Sequence, residues 1–111
     1  MKSHTDIEQS KKLAEILPLE SADMGWYYSR NPNSARNQMW VGTKAENADI
    51  PCWSLAALLD VLKYPSLTQD VGNKWSITDW TGAYPKSEYS FDNPIDACVT
   101  MVEKLNERKL L

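Results

Sequence analysis

The segment that decides the fold is NPIDACVTMVEKL, residues 93–105. Asn93 is a typical helix N-cap, and Pro94 suits the first helical position, where a missing N–H is tolerated. Apolar residues then recur at the spacing of one helical face: Ile95, Cys98, Val99, Val102 and Leu105. The pattern predicts a helix that packs one face against a core.

Two further helices are predicted upstream of this segment. The first covers residues 6–17, with Thr5 as its cap and Glu8 completing a capping box. The second begins after Ser54 and is short, because Pro65 prevents its extension. Its leucines share one face, so we expect it to be the most buried element: Leu55, Leu58, Leu59 and Leu62.

Strands are predicted between the helices, at residues 26–30, 38–43, 75–81 and 88–91. The polar residues 31–37 join the first two as a hairpin, and the fourth strand returns beside the third. The resulting order is α-β-β-α-β-β-α. It predicts a single α+β domain over residues 1–111, in which helices cover one face of a mainly antiparallel sheet of three or four strands.

Charge and hydropathy narrow the choice of partner and location. A net charge of -3 does not favour binding to the phosphate backbone of nucleic acids. The longest apolar run, residues 55–59, is too short to span a bilayer, and the N-terminus lacks an apolar signal region. We therefore expect a cytoplasmic protein without a membrane partner, whose cysteines are reduced.

Patterns typical of catalysis or of cofactor binding are scarce. His4 is the sole histidine, and its position before the first helix predicts an exposed or frayed residue. The cysteine spacing matches no zinc or redox motif, and the glycines form no phosphate loop, so no cofactor is expected. Cys52 lies near a helix start, where a thiolate is favoured, but a structural thiol is the preferred interpretation.

The aromatic content is the most unusual feature, with five tryptophans and five tyrosines in 111 residues. Four of the tryptophans fall on predicted strands, and most are expected to fill the core. The alternative is an exposed aromatic platform formed by Trp80 with Tyr27, Tyr28 and Trp40. Such a platform suits a protein partner, a second copy of the chain, or a stacked sugar or base ring.

Several stretches also carry a resemblance. Residues 51–59 (PCWSLAALL), 74–75 and 92–98 (DNPIDAC) resemble a set of small uncharacterised proteins encoded in prophage and mobile-element regions of gut bacteria. Residues 16–24 and 109–111 are similar as well, so the resemblance covers most of the chain. It implies a cytoplasmic, accessory, phage-like context and carries over no functional residue.

Two main hypotheses about function follow. The first is a small non-enzymatic accessory protein that acts by protein–protein contact, most simply as a homodimer through an aromatic sheet face. The second is a ligand-binding or hydrolytic domain whose aromatic cleft is served by Asp79 or Glu88. A third idea, binding of single-stranded nucleic acid by stacking, requires salt-sensitive affinity.

Overall fold

A computed structural model of the chain describes residues 2–28, 39–43, 47–62, 65–79 and 91–109. In these ranges it contains three α-helices, a short 3₁₀ helix at Leu19–Ser21 and five strands. The helices are α1 (Ile7–Ile16), α2 (Leu55–Val61) and α3 (Pro94–Glu107). The strands are β1 (Met24–Tyr28), β2 (Met39–Gly42), β3 (Ile50–Cys52), β4 (Pro65–Gln69) and β5 (Trp75–Asp79).

The strands pair antiparallel in two sheets. In the first sheet the order is β2-β1-β3, and in the second β4 pairs with β5. The α+β class and the antiparallel pairing predicted from the sequence are confirmed. The element order also matches approximately, but the strands are divided between two sheets instead of forming one.

The second sheet differs most from the prediction. β4 begins at Pro65, which was interpreted only as a helix breaker; proline is tolerated at the first position of an edge strand. Of the predicted strand 88–91, only Phe91 is described, and its backbone exchanges two hydrogen bonds with Trp75, of 2.7 and 2.8 Å. The predicted turn 31–37 and residues 80–81 and 88–90 lie outside the described ranges.

Helix starts follow the predicted capping chemistry with one correction. The N-cap of α1 is Asp6, not Thr5: the Asp6 carboxylate accepts from the Gln9 N–H at 2.8 Å, and the Gln9 side chain accepts from the Asp6 N–H at 3.1 Å. The predicted caps Ser54 and Asn93 are confirmed at α2 and α3. Thr5 is therefore free to make tertiary contacts.

The core lies where α3 packs against α2 and against β5. The expectation that α2 is the most buried element is wrong. α3 is twice as long and buries a wide face along its whole length, whereas Ala57 and Leu58 are the buried residues of α2. Trp53, just before α2, is fully buried in the same core cluster. None of the helices in the described ranges is long and apolar enough to cross a membrane.

A matched pair of substitutions tests this view of α2. Leu58 is fully buried and Leu59 only partly, so Leu58→Ala should lower the free energy of unfolding by about 2–5 kcal/mol and Leu59→Ala by less. Urea denaturation of both variants measures the difference. Equal losses, or a larger loss for Leu59→Ala, would show that the burial described for α2 is incorrect.

Candidate functional site

The N-terminal segment is docked against the start of α2. The Thr5 N–H donates to the Trp53 carbonyl oxygen at 2.9 Å, and the Trp53 N–H donates to Thr5 Oγ1 at 3.1 Å. The expectation that His4 is exposed or frayed is wrong. His4 is half-buried, pairs with Ser54 in an isolated β-bridge, and places its ring edge-on to Trp26 with centroids 5.4 Å apart. This pairing fixes the path of the chain into α1.

Thr5 is the polar centre of this contact and is completely buried. Its hydroxyl lies 2.7 Å from Ser10 Oγ and 3.4 Å from Cys52 Sγ. Its carbonyl oxygen accepts from Trp26 Nε1 at 3.3 Å and from Cys52 Sγ at 3.5 Å. Buried polar groups need such partners, because an unsatisfied donor or acceptor costs about 1–3 kcal/mol.

Both cysteines are buried thiols. Burial raises the pKa of Cys52, although hydrogen bonds from Thr5 and Ser10 partly offset it. Burial alone raises the pKa of Cys98 to about 12. A nucleophilic cysteine needs a lowered pKa and access to solvent. The structure therefore supports the structural interpretation of Cys52.

The side chains of Ser54 and Asp23 form the cap of α2. The Ser54 hydroxyl donates to one oxygen of Asp23 and accepts from the Ala57 N–H at 3.2 Å, while the Ser54 N–H donates to the other Asp23 oxygen at 2.9 Å. A serine nucleophile needs a base on its hydroxyl, most often an imidazole. The His4 ring instead places Nδ1 3.1 Å from the Thr5 carbonyl oxygen. This serine therefore serves the helix start.

A lysine that sequence reasoning missed joins the N-terminal ends of α1 and α3. Lys2 Nζ donates to Gln9 Oε1 at 2.7 Å, to Asp96 Oδ1 at 2.9 Å and to Asp6 Oδ2 at 3.0 Å. Gln9 Nε2 also donates to Asp96 Oδ1, at 2.8 Å. Burial of Asp96 disfavours its charge, but hydrogen bonds from Lys2, Gln9 and Asn93 outweigh burial and lower the pKa of Asp96.

Two grooves lie near the C-terminal ends of the helices, away from the Lys2 network. The first, called here the apolar groove, has a volume of about 370 Å³ and lies between the end of α1, the 3₁₀ helix and the end of α2. Leu19, in that 3₁₀ helix, is 58% exposed. The residues that line the groove are Ile16, Leu17, Pro18, Ser21, Asp60 and Val61.

The second groove, called here the acidic groove, has a volume of about 300 Å³ and lies between the last turns of α1 and α3. Since Lys2 and Gln9 hold the starts of these helices together, α1 and α3 run side by side in the same direction. Ile16 lines both grooves. The other lining residues of the acidic groove are Lys12, Glu15, Glu103, Asn106 and Glu107.

The predicted aromatic platform is only partly described. Tyr27 is partly buried on β1, directly opposite Trp40 on β2 in the antiparallel register, and Tyr28 is opposite Met39. Consecutive strand positions alternate between faces, so positions 27 and 28 belong to opposite faces of the sheet. Trp80 and Glu88 lie outside the described residues, and Asp79 ends β5. The platform stays a prediction.

Within the described ranges, no three His, Cys, Asp or Glu side chains are grouped so as to hold a metal ion. No protein-family model, curated protein or solved structure matches the chain.

The lowered pKa of Asp96 predicts a loss of stability in acid. Because the folded-state pKa lies below the ordinary value of 3.8, the ionised carboxylate stabilises the fold above that value, and the contribution is lost as the pH falls through the folded-state pKa. Asp96→Asn should therefore be less stable than the wild type near neutrality, with a difference that shrinks below about pH 4.

Urea denaturation between about pH 2.5 and pH 6 measures this difference. Glu8→Gln is the matched control, since Glu8 is an exposed carboxylate in the first turn of α1 and outside the Lys2 network. If Asp96→Asn and the wild type lose stability in parallel over this range, the network does not stabilise the fold as described.

Proposed function

We propose that the protein is a small non-enzymatic accessory protein of a phage or mobile element that acts in the cytoplasm by protein–protein contact. The observation that carries the proposal is the apolar groove together with the exposed Leu19 beside it. A large exposed apolar side chain next to a concave apolar surface is typical of a contact site.

The roles of the reactive side chains favour contact over catalysis. The Ser54 hydroxyl is engaged in the cap of α2, the Cys52 thiol is buried beside Thr5, and the His4 ring packs on Trp26. Each of these contacts supports the fold. The hydrolytic alternative depends on Asp79 and Glu88, whose side chains are not among those described, and no observation in the described ranges favours it.

Leu19 has the exposure that a binding residue needs. Burying a leucine side chain contributes about 1.5–3 kcal/mol, and a few such residues commonly provide most of the affinity of an interface. Pro18 precedes Leu19 in the chain, and Ile16, Pro18 and Val61 supply apolar lining to the groove. A partner that covers Leu19 therefore gains a central apolar contact with further apolar area around it.

Self-association is a second candidate, because the register of the first sheet sets Tyr27 directly opposite Trp40. Aromatic pairs across antiparallel strands are favourable and suit a sheet face that packs on a second copy. In this version the contact surface is the face of the first sheet that carries positions 27 and 40; position 28 belongs to the opposite face, and Trp80 lies outside the described residues. Nucleic acid is not proposed as a partner.

Affinity capture with tagged protein from a native host tests the proposal. Leu19→Asp should reduce recovery of the partner about tenfold or more, because it removes an apolar contact and places a charge in the interface. Val71→Asp is the matched control, since Val71 is an equally apolar residue exposed in the turn between β4 and β5. Unchanged capture by Leu19→Asp, with both variants folded by circular dichroism, would contradict the proposal.

Light scattering of the same samples at micromolar concentration distinguishes contact with a different protein from self-association. Contact through the apolar groove with a different protein predicts a monomer. A dimer that Tyr27→Ala weakens and Leu19→Asp leaves intact would instead support self-association through the sheet, and a strict monomer would remove that version.

A further inference from the structure

We infer that the apolar and acidic grooves form one docking surface for a basic amphipathic segment of a protein partner, with apolar side chains of that segment on Ile16 and Leu19 and its lysines or arginines on the acidic rim. The inference rests on the proposed function and specifies the chemistry of the partner. It is carried by the adjacency of the two grooves at Ile16, by the charge of their lining residues and by the helix ends that line them.

The two grooves adjoin at the last turn of α1. Ile16 lines both, and Lys12, Glu15 and Ile16 are spaced so that they share one side of the helix. The apolar groove, at about 370 Å³, is near the lower limit of small-ligand pockets, which hold about 300–1,000 Å³. It is also partly open to solvent, which suits side chains projecting from a longer segment.

The rim of this surface is strongly acidic. Four carboxylates line the two grooves, against the single ammonium group of Lys12: Glu15, Asp60, Glu103 and Glu107. Glu15, Asp60 and Glu107 are exposed, so their charges face solvent and are available to a partner. Complementary charge of this kind steers association and selects basic partners over acidic ones.

The helix ends add a second, independent source of negative potential. The C-terminal turn of α1 borders both grooves, that of α2 borders the apolar groove and that of α3 borders the acidic groove. Each helix C-terminus carries the equivalent of about half a negative elementary charge, and cations are favoured there. The last turns of α1 and α2 contain no basic residue. They contain Glu15 and Asp60 instead, which is the electrostatically unfavourable choice.

The C-terminal end of α3 carries charges of both signs, because Lys104 lies in its last turn and Arg108 follows Glu107. The conflict between acid and helix dipole is therefore concentrated at α1 and α2, on either side of the apolar groove. Local interactions that oppose the fold commonly mark functional positions. Lysines or arginines of a bound segment would relieve this conflict, and its leucine-like side chains would cover Leu19.

Fluorescence anisotropy of the full chain with three labelled synthetic peptides tests the inference. One peptide is an amphipathic sequence of leucine and lysine, the second replaces lysine with glutamate, and the third replaces leucine with serine. The leucine–lysine peptide should bind at least about tenfold more tightly than either of the others, and its affinity should fall as salt is added. Equal affinity for all three peptides would overturn the inference.

Charge reversal at two aspartates separates the site from the net charge of the protein. Asp60→Lys should weaken binding of the leucine–lysine peptide about fivefold or more. Asp92→Lys makes the same charge change at an exposed residue that pairs with Lys74. Because Asp92 lies before the N-terminal end of α3, away from the grooves, this change should leave the affinity unchanged. Equal losses for both variants would show non-specific attraction and overturn the inference.

The stability of Asp60→Lys shows whether a loss of peptide binding results from unfolding of the variant. Since Asp60→Lys replaces an acid with a base at a helix C-terminus, its urea midpoint should rise while its affinity falls. A lowered midpoint would contradict the argument from the helix ends. If Leu19→Asp abolishes capture of the native partner but the leucine–lysine peptide shows no preference, the proposed function stands and only the class of partner is wrong.

Discussion

The structure depends on the hydrogen bonds that the buried Thr5 makes with the junction between β3 and α2. Its hydroxyl accepts from the Trp53 N–H and contacts Ser10 and Cys52, and its backbone N–H donates to the Trp53 carbonyl oxygen. These bonds attach the chain before α1 to the start of α2. They set the position of α1 on β3, and so determine where the last turn of α1 meets the 3₁₀ helix and α2.

The charges along α1 and α3 follow from their parallel arrangement. At the N-terminal ends, Asp6 and Asp96 lie where the helix dipoles favour acids, and Lys2 bridges them. At the C-terminal ends the same dipoles favour bases, yet Glu15 and Glu107 border the acidic groove. One end of the helix pair is thus satisfied internally, whereas at the other end the last turn of α1 contains no basic residue and α3 contains Lys104.

The sequence predicted those features that depend on local interactions. Ser54 and Asn93 each lie within a few residues of the helix that they cap, so the pattern of cap and apolar face is readable in the sequence. Thr5 was predicted as a cap because a threonine before a helix is typical of one. Asp6 is equally suited, and only the tertiary contacts of the Thr5 hydroxyl decide between them. β4 was missed because Pro65 is compatible with both a helix end and an edge strand.

The candidate site was less predictable, because three helix ends that are distant in sequence form it. No periodic pattern connects Ile16, Leu19 and Asp60. The available signal was acidic residues near the ends of predicted helices, Glu15 before Pro18 and Asp60 before Pro65, where bases are expected. The aromatic platform was the more conspicuous pattern, and it remains a prediction.

Denaturation of Thr5→Val in urea tests the central claim most directly, because valine keeps the shape of threonine and replaces only the hydroxyl with a methyl group. The Trp53 N–H and the Ser10 hydroxyl would lose a buried partner, so the free energy of unfolding should fall by about 1–3 kcal/mol, and Thr5→Ser should retain the hydrogen bonds. A valine variant as stable as the wild type would show that these bonds do not hold the N-terminal segment in place.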